Sequence, residues 1–136
     1  MMFRQLDDKT LVSGQLQPND FAEAKRAGVT LVVNNRPDGE EPGQPLSADL
    51  EAAARAEGLD YRYHPIIRGL GPAHVEHMRE ALRAAEGGKL LAFCRSGTRS
   101  TLAWAVARCE EGVPREEVER CAEDAGFSLT PVQHLL

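Results

Sequence analysis

Lys89-Leu90-Leu91-Ala92-Phe93-Cys94-Arg95-Ser96-Gly97-Thr98-Arg99-Ser100 is the stretch whose reading decides the fold. Lys89 to Phe93 is a short apolar run of the kind found in a strand covered on both faces. A small polar loop follows, and a helix is expected from Ser100 to Glu111. In a short loop such as Arg95-Ser96-Gly97-Thr98, successive backbone N–H groups can turn inward and form an anion nest. Gly97 permits the positive φ that such a curl requires. The helix start adds its positive end, and Arg99 adds a charged fork. A sulfur in that field is favoured as its anion, the reactive form of a thiol. Cys94 is therefore expected to be a nucleophile, with Arg99 and Ser100 as its catalytic companions. The Ser100 hydroxyl is expected on the sulfur. Arg95, Ser96, Gly97 and Thr98 are expected to form the anion-binding loop.

Elements alternate in type on either side of this segment. Extended pieces at Phe3 to Gln5 and Thr10 to Ser13 flank a polar Asp7-Asp8-Lys9 turn. Pro18 opens a helix that stops at Gly28. Val29 to Val33 is a β-branched strand. Arg36-Pro37-Asp38-Gly39-Glu40-Glu41-Pro42-Gly43-Gln44-Pro45 holds three prolines and two glycines, which forbids regular structure. Ser47 is read as the cap of a helix to Glu57. Tyr61 to Ile67 is read as a strand, Pro72 to Glu86 as a helix, Pro114 to Ala125 as another, and Pro131 as the start of a short last one. Strands alternating with helices predict an α/β fold, a mostly parallel sheet flanked by helices in three layers. Ligands of such sheets bind outside the carboxyl ends of the strands, and Cys94 stands at one.

The bulk numbers are compatible with this plan. The chain has 136 residues, enough for a single domain, 1–136, with its own core. Hydrophobic residues make up 42% and charged residues 27%, a globular balance. The net charge of −5 disfavours nucleic acid or an anionic membrane as partner, because both demand a basic face. No apolar run approaches bilayer length, and the start Met1 to Asp8 has no signal-peptide core, so a cytoplasmic location is expected. Cys94, Cys109 and Cys121 are an odd number at irregular spacing, which suits reduced thiols rather than disulfides or a zinc site. His74 and His77 share a helix face without a third ligand at metal-site spacing. Neither a metal nor another cofactor is expected.

The loop resembles two known ones. Tyrosine and dual-specificity phosphatases carry His-Cys, five residues and Arg. Here Phe93 precedes Cys94, four residues separate it from Arg99, and Ser100 stands where the phosphatase Arg would be. Single-domain rhodaneses carry a loop similar to Cys-Arg-Ser-Gly-x-Arg-Ser, which is the pattern of Cys94 to Ser100. Beyond the loop, four segments taken together resemble one family. They are Leu11-Val12-Ser13-Gly14-Gln15, Val32-Val33-Asn34-Asn35-Arg36-Pro37-Asp38-Gly39-Glu40, Tyr63-His64-Pro65-Ile66 and Phe93 to Ser100. The family is the phosphatase-like domain of bacterial beta-lactamase-hydrolase-like proteins, found alone or fused to a metallo-β-lactamase-type hydrolase. The resemblance runs from Phe3 to about Glu111. It implies a dual-specificity-phosphatase fold with a rhodanese-sized loop, and a metallo-β-lactamase-type hydrolase as a partner.

Phosphatases of that fold keep a general-acid Asp where this chain has Ile66-Ile67-Arg68-Gly69-Leu70-Gly71. No Asp or Glu lies between Asp60 and Glu76. Arg68 cannot supply a proton, though it can hold an anion. Asp38 is the one acidic substitute expected to reach the site from another strand end, with Arg36 beside it as added positive charge. Its alternative is a turn residue in Pro37-Asp38-Gly39. Sulfur transfer needs no general acid, because sulfite or a thiolate leaves readily as an anion. The expected function is thus a rhodanese-type sulfurtransferase working through a Cys94 persulfide, on thiosulfate or a thiol persulfide. A phosphatase working through a Cys94 phosphocysteine on a phosphoester is the alternative. A non-catalytic anion-sensing domain is a third.

Overall fold

Strand β5, Lys89–Phe93, is the middle strand of the five-stranded sheet, and its burial follows from that position. Leu90 and Ala92 point into one apolar cluster and Leu91 and Phe93 into the other, all four fully buried. A strand covered on both faces has no use for polar residues, which is why the segment is apolar from Leu90 onward, with the half-buried Lys89 at its open end. The computed structural model describes residues 3–136, so the Met1-Met2 start lies outside the described residues.

In chain order the strands are β1 Arg4–Asp7, β2 Thr10–Ser13, β3 Val29–Asn34, β4 Asp60–Tyr63 and β5. The helices are α1 Phe21–Arg26, preceded by a 3-10 turn at Pro18–Asp20, then α2 Ser47–Ala56, α3 Pro72–Ala84, α4 Thr98–Glu110 and α5 Arg115–Asp124. A 3-10 segment, Thr130–Leu135, closes the chain. The sheet order is β1-β2-β5-β3-β4. Among the described residues only the β1–β2 hairpin is antiparallel; β2–β5, β5–β3 and β3–β4 are parallel. This is the α/β architecture expected. One cluster, with Leu31, Val33, Leu90 and Ala92, packs under α3, α4 and α5. The other, with Val32, Leu91 and Phe93, packs under α1 and α2. Fully burying one such Leu or Val side chain contributes about 1.5–3 kcal/mol.

Several boundaries differ from the sequence reading by a few residues, and three of them have a clear local reason. β4 ends at Tyr63 rather than Ile67. Pro65 has no N–H to give, so pairing continues only irregularly, through His64 N–H to Asn34 O and Ile66 N–H to Asn35 O, both 2.9 Å. Ser47 is the first helical residue of α2 and not its cap, which is Leu46. The Ser47 N–H is satisfied instead by the Asp38 carboxylate at 2.8 Å. α4 begins at Thr98, two residues early, because Gly97 itself turns left-handed with φ of 92° and starts the helix.

Candidate active site at the end of the central strand

Three strand ends meet at Cys94. Its N–H donates to Ser13 O at the end of β2, 3.3 Å away. On the other side, the Asn35 N–H just past β3 donates to Phe93 O at 2.8 Å. The backbone after β2 lies against the loop: Gln15 N–H donates to Arg95 O at 3.3 Å, and a Cβ on Gly14 would stand 3.0 Å from that same oxygen. The loop then reverses at Gly97, whose N–H donates to the Cys94 sulfur at 3.1 Å. A Cβ on Gly97 would meet both the unfavourable φ and the Phe127 ring at 3.1 Å. Thr101 secures the turn, its N–H and hydroxyl both reaching Gly97 O, at 3.0 and 2.8 Å. Cys94 is 0% exposed, at the foot of α4's positive end.

Arg99, in the first turn of α4, reaches over the site. Its NH1 donates to Ile66 O at 2.8 Å and to Glu40 Oε2 at 2.8 Å, and its NH2 donates to Glu40 Oε1 at 2.9 Å. The guanidinium is thus forked onto a carboxylate from the proline-glycine loop. That pair holds Glu40 far below the ordinary carboxyl value of 4.5, at about 2, despite the opposing effect of burial, with Arg36 assisting. Arg99 is pushed up in turn, first by Glu40 and, against the cost of its own burial, by the Cys94 sulfur. Arg36 is buried, and its three guanidinium nitrogens go to Glu40 at 2.8 Å, Gln15 at 3.0 Å and Glu41 at 2.9 Å. Glu41 also meets Arg95 at 2.9 Å. The wall beside Cys94 is therefore an alternating lattice of three arginines and two carboxylates.

Cys94, Arg95, Ser96 and Gly97 lie in the loop, Thr98 and Arg99 in the first turn of α4, and Arg36 meets Arg99's partner Glu40 from the end of β3. Ser96 Oγ bridges within the loop, donating to Thr98 Oγ1 at 3.0 Å and accepting from Thr98 N–H at 3.4 Å. Ser100 is a correction. Its hydroxyl is fully buried and donates to Asn35 Oδ1 at 2.8 Å rather than to the sulfur, because Asn35, just past the end of β3, meets it first. Asp38 is a second correction. It is exposed, its carboxylate is spent on the Ser47 N–H of α2, and its own N–H goes to Tyr63 Oη at 2.9 Å. The turn reading holds there, and the acid that reaches the site is Glu40, two residues on. Arg68 is exposed and makes no ion pair among the described residues. His74 caps α3 by accepting the Gly71 N–H at 2.9 Å, and His77 stacks on His64 with ring centres 4.2 Å apart, so the two do not face a common ligand.

Two residues escaped the sequence reading. Glu40 is one of three acids in an irregular loop, and no local pattern sets it apart. Asn35 carries the second omission: its Nδ2 donates to His64 O at 2.9 Å while its Oδ1 takes Ser100, so it ties β3, the strand-end segment before Ile66 and α4 together. The available signal was Asn34-Asn35 itself. Two amides closing an apolar strand must find buried partners or cost stability.

Comparison with known proteins places this geometry. Residues 2–111 match the family model described as beta-lactamase hydrolase-like protein, phosphatase-like domain. A beta-lactamase hydrolase-like protein of Xylella fastidiosa is 35% identical over 126 residues, and one of Agrobacterium fabrum is 31% identical over 129. Both alignments cover 91% of this chain but 29% of the relative, so the chain spans under a third of those proteins' length. A solved structure from Neisseria meningitidis, provisionally assigned as a phosphatase, is 33% identical with a TM-score of 0.86, covering 99% of this chain and 96% of that one. The kinase associated phosphatase, solved with its catalytic cysteine changed to serine, is 18% identical with a TM-score of 0.75, over 98% of this chain and 90% of that one, a likeness of fold alone.

Proposed function

The chain belongs to the family of phosphatase-like domains of beta-lactamase hydrolase-like proteins, and from that premise we propose that it is a cysteine-dependent sulfurtransferase built on a phosphatase-like fold. One observation carries the reading: the carboxylate that reaches the arginine of the Cys94 loop is Glu40, ionised and clamped by Arg99 and Arg36. A carboxylate held that far down has no proton to give at neutral pH, so it cannot assist a leaving alkoxide. Sulfur transfer makes no such demand. The Cys94 thiolate attacks the outer sulfur of a sulfane donor, and the donor's S–S bond breaks. Sulfite or a thiolate then leaves with the electron pair. The terminal sulfur of the resulting persulfide is next taken by a nucleophile, cyanide or a thiol, which restores the Cys94 thiolate. The Gly97 N–H and the start of α4 face the charge that resides on sulfur in both steps. The loop, one residue shorter than in the tyrosine phosphatases, suits one sulfur better than a phosphoryl group with three oxygens.

A second reading is favoured by the comparisons, which support it better than they support sulfur transfer. The solved relative at 33% identity carries a provisional phosphatase assignment, and the more distant fold neighbour is a cysteine phosphatase. In that reading Cys94 forms a phosphocysteine, and only esters with good leaving groups turn over. Thiosulfate:cyanide transfer and aryl-phosphate hydrolysis, assayed on one preparation, separate the two. Incubation with a sulfane donor is expected to add one sulfur atom to the intact mass, and Cys94→Ser to abolish the addition. Brisk phosphotyrosine hydrolysis with no persulfide on Cys94 would put the phosphatase reading in front. A link to a metallo-β-lactamase-type hydrolase rests on the relatives' names and greater length.

A further inference from the structure

In an anion-binding loop of this kind, the arginine at the head of the helix is the group that forks the substrate's oxygens. Here the fork is occupied. Arg99 NH1 and NH2 each hold one oxygen of Glu40, at 2.8 and 2.9 Å, and the remaining NH1 hydrogen goes to Ile66 O at 2.8 Å. Arg36, buried behind, has its guanidinium nitrogens on Glu40, Glu41 and Gln15. Glu40 is not a loose surface acid, since its carboxylate is shared by two guanidiniums from two elements. We propose that Glu40 is the specificity-determining residue of this site, a fixed negative charge on Arg99 that disfavours doubly charged anions and leaves singly charged ones as substrates.

The consequence is electrostatic. A dianion, such as thiosulfate or a phosphate monoester, must either displace Glu40 from Arg99 or bear the repulsion of a carboxylate on the far side of the guanidinium. A singly charged anion, such as an alkyl persulfide, meets half that repulsion, because the interaction scales with the charge on the ligand. Among sulfane donors the site is thus suited to persulfides over thiosulfate. This substrate class rests on the sulfur-transfer reading, but the charge selection itself does not, and the test keeps them apart.

The test reads anion binding without any turnover. Inorganic sulfate and thiocyanate are titrated at neutral pH as protectors of Cys94 against iodoacetamide, in the wild type and in Glu40→Gln. Removing one carboxylate charge is expected to tighten sulfate about tenfold and thiocyanate about threefold, the square-root relation that follows from half the charge. The sulfate-to-thiocyanate ratio is the deciding quantity. A merely structural role for Glu40 would weaken both anions together, and Glu40→Asp, which keeps the charge, should return the ratio to the wild-type value. Equal shifts for both anions, no shift, or a ratio that Glu40→Asp does not restore would overturn the proposal. If the ratio changes as expected while no donor leaves sulfur on wild-type Cys94, Glu40 keeps this role and the sulfurtransferase reading fails instead.

Discussion

Replacing Asn35 with alanine removes two side-chain hydrogen bonds at once, one buried and one partly buried, and both hold elements of the active site. Asn35 is 3% exposed; it gives its amide hydrogen to His64 O and takes the hydroxyl of Ser100. The net worth of an intramolecular hydrogen bond is about 0.5–1.5 kcal/mol, and a buried partner left unsatisfied costs about 1–3 kcal/mol. Ser100 is fully buried and loses its acceptor outright. We therefore expect Asn35→Ala to cost about 2–4 kcal/mol in urea unfolding. For a chain of this size that lowers Tm by roughly 10 °C. Activity should fall further than stability, because the segment tied by Asn35 ends in the Ile66 carbonyl that anchors Arg99. A double-mutant cycle with Ser100→Ala tests the cause: neighbours sharing one hydrogen bond should couple by at least 0.5 kcal/mol. A loss under about 1 kcal/mol, or full additivity with Ser100→Ala, would refute the network argument.

Gly97→Ala should destabilise by about 1–2 kcal/mol from its left-handed φ, more if the Phe127 ring cannot give way, and should weaken sulfate protection of Cys94; an unchanged urea midpoint would contradict the strain. Arg99→Ala strips the site of its fork and leaves Glu40 held by Arg36 alone, so sulfate or thiosulfate binding should weaken by about tenfold or more, the value of a charged hydrogen bond. Arg95, whose side chain is 69% exposed, should matter far less as Arg95→Ala, and equal losses in a binding titration would reverse the assignment. Because Glu40 titrates lower in the folded chain than its usual 4.5, its contribution is present above 4.5 and is lost as pH falls towards about 2. The difference in urea midpoint between wild type and Glu40→Gln should accordingly shrink across that window, and a constant difference would count against the ion pair.

The sequence by itself determined the local unit: a two-sided apolar strand, a small loop, a glycine at the reversal and a helix start. Each of those features acts within a few residues of Cys94, so their reading needs no knowledge of the rest of the chain, and the alternation of strands and helices around them was enough for the α/β class. What surrounds the sulfur was decided by tertiary structure. Glu40 lies 59 positions from Arg99 and Asn35 lies 65 from Ser100. They meet because the sheet order sets β3 directly beside β5, so that everything leaving the end of β3 passes the Cys94 loop. Asp38 and Glu40 are chemically alike and two residues apart in an irregular loop, and no periodicity distinguishes them. The choice between them fell to partners: an unpaired N–H at the start of α2 took the first, and two converging guanidiniums took the second, since a charge settles wherever the folded chain has already gathered the opposite one.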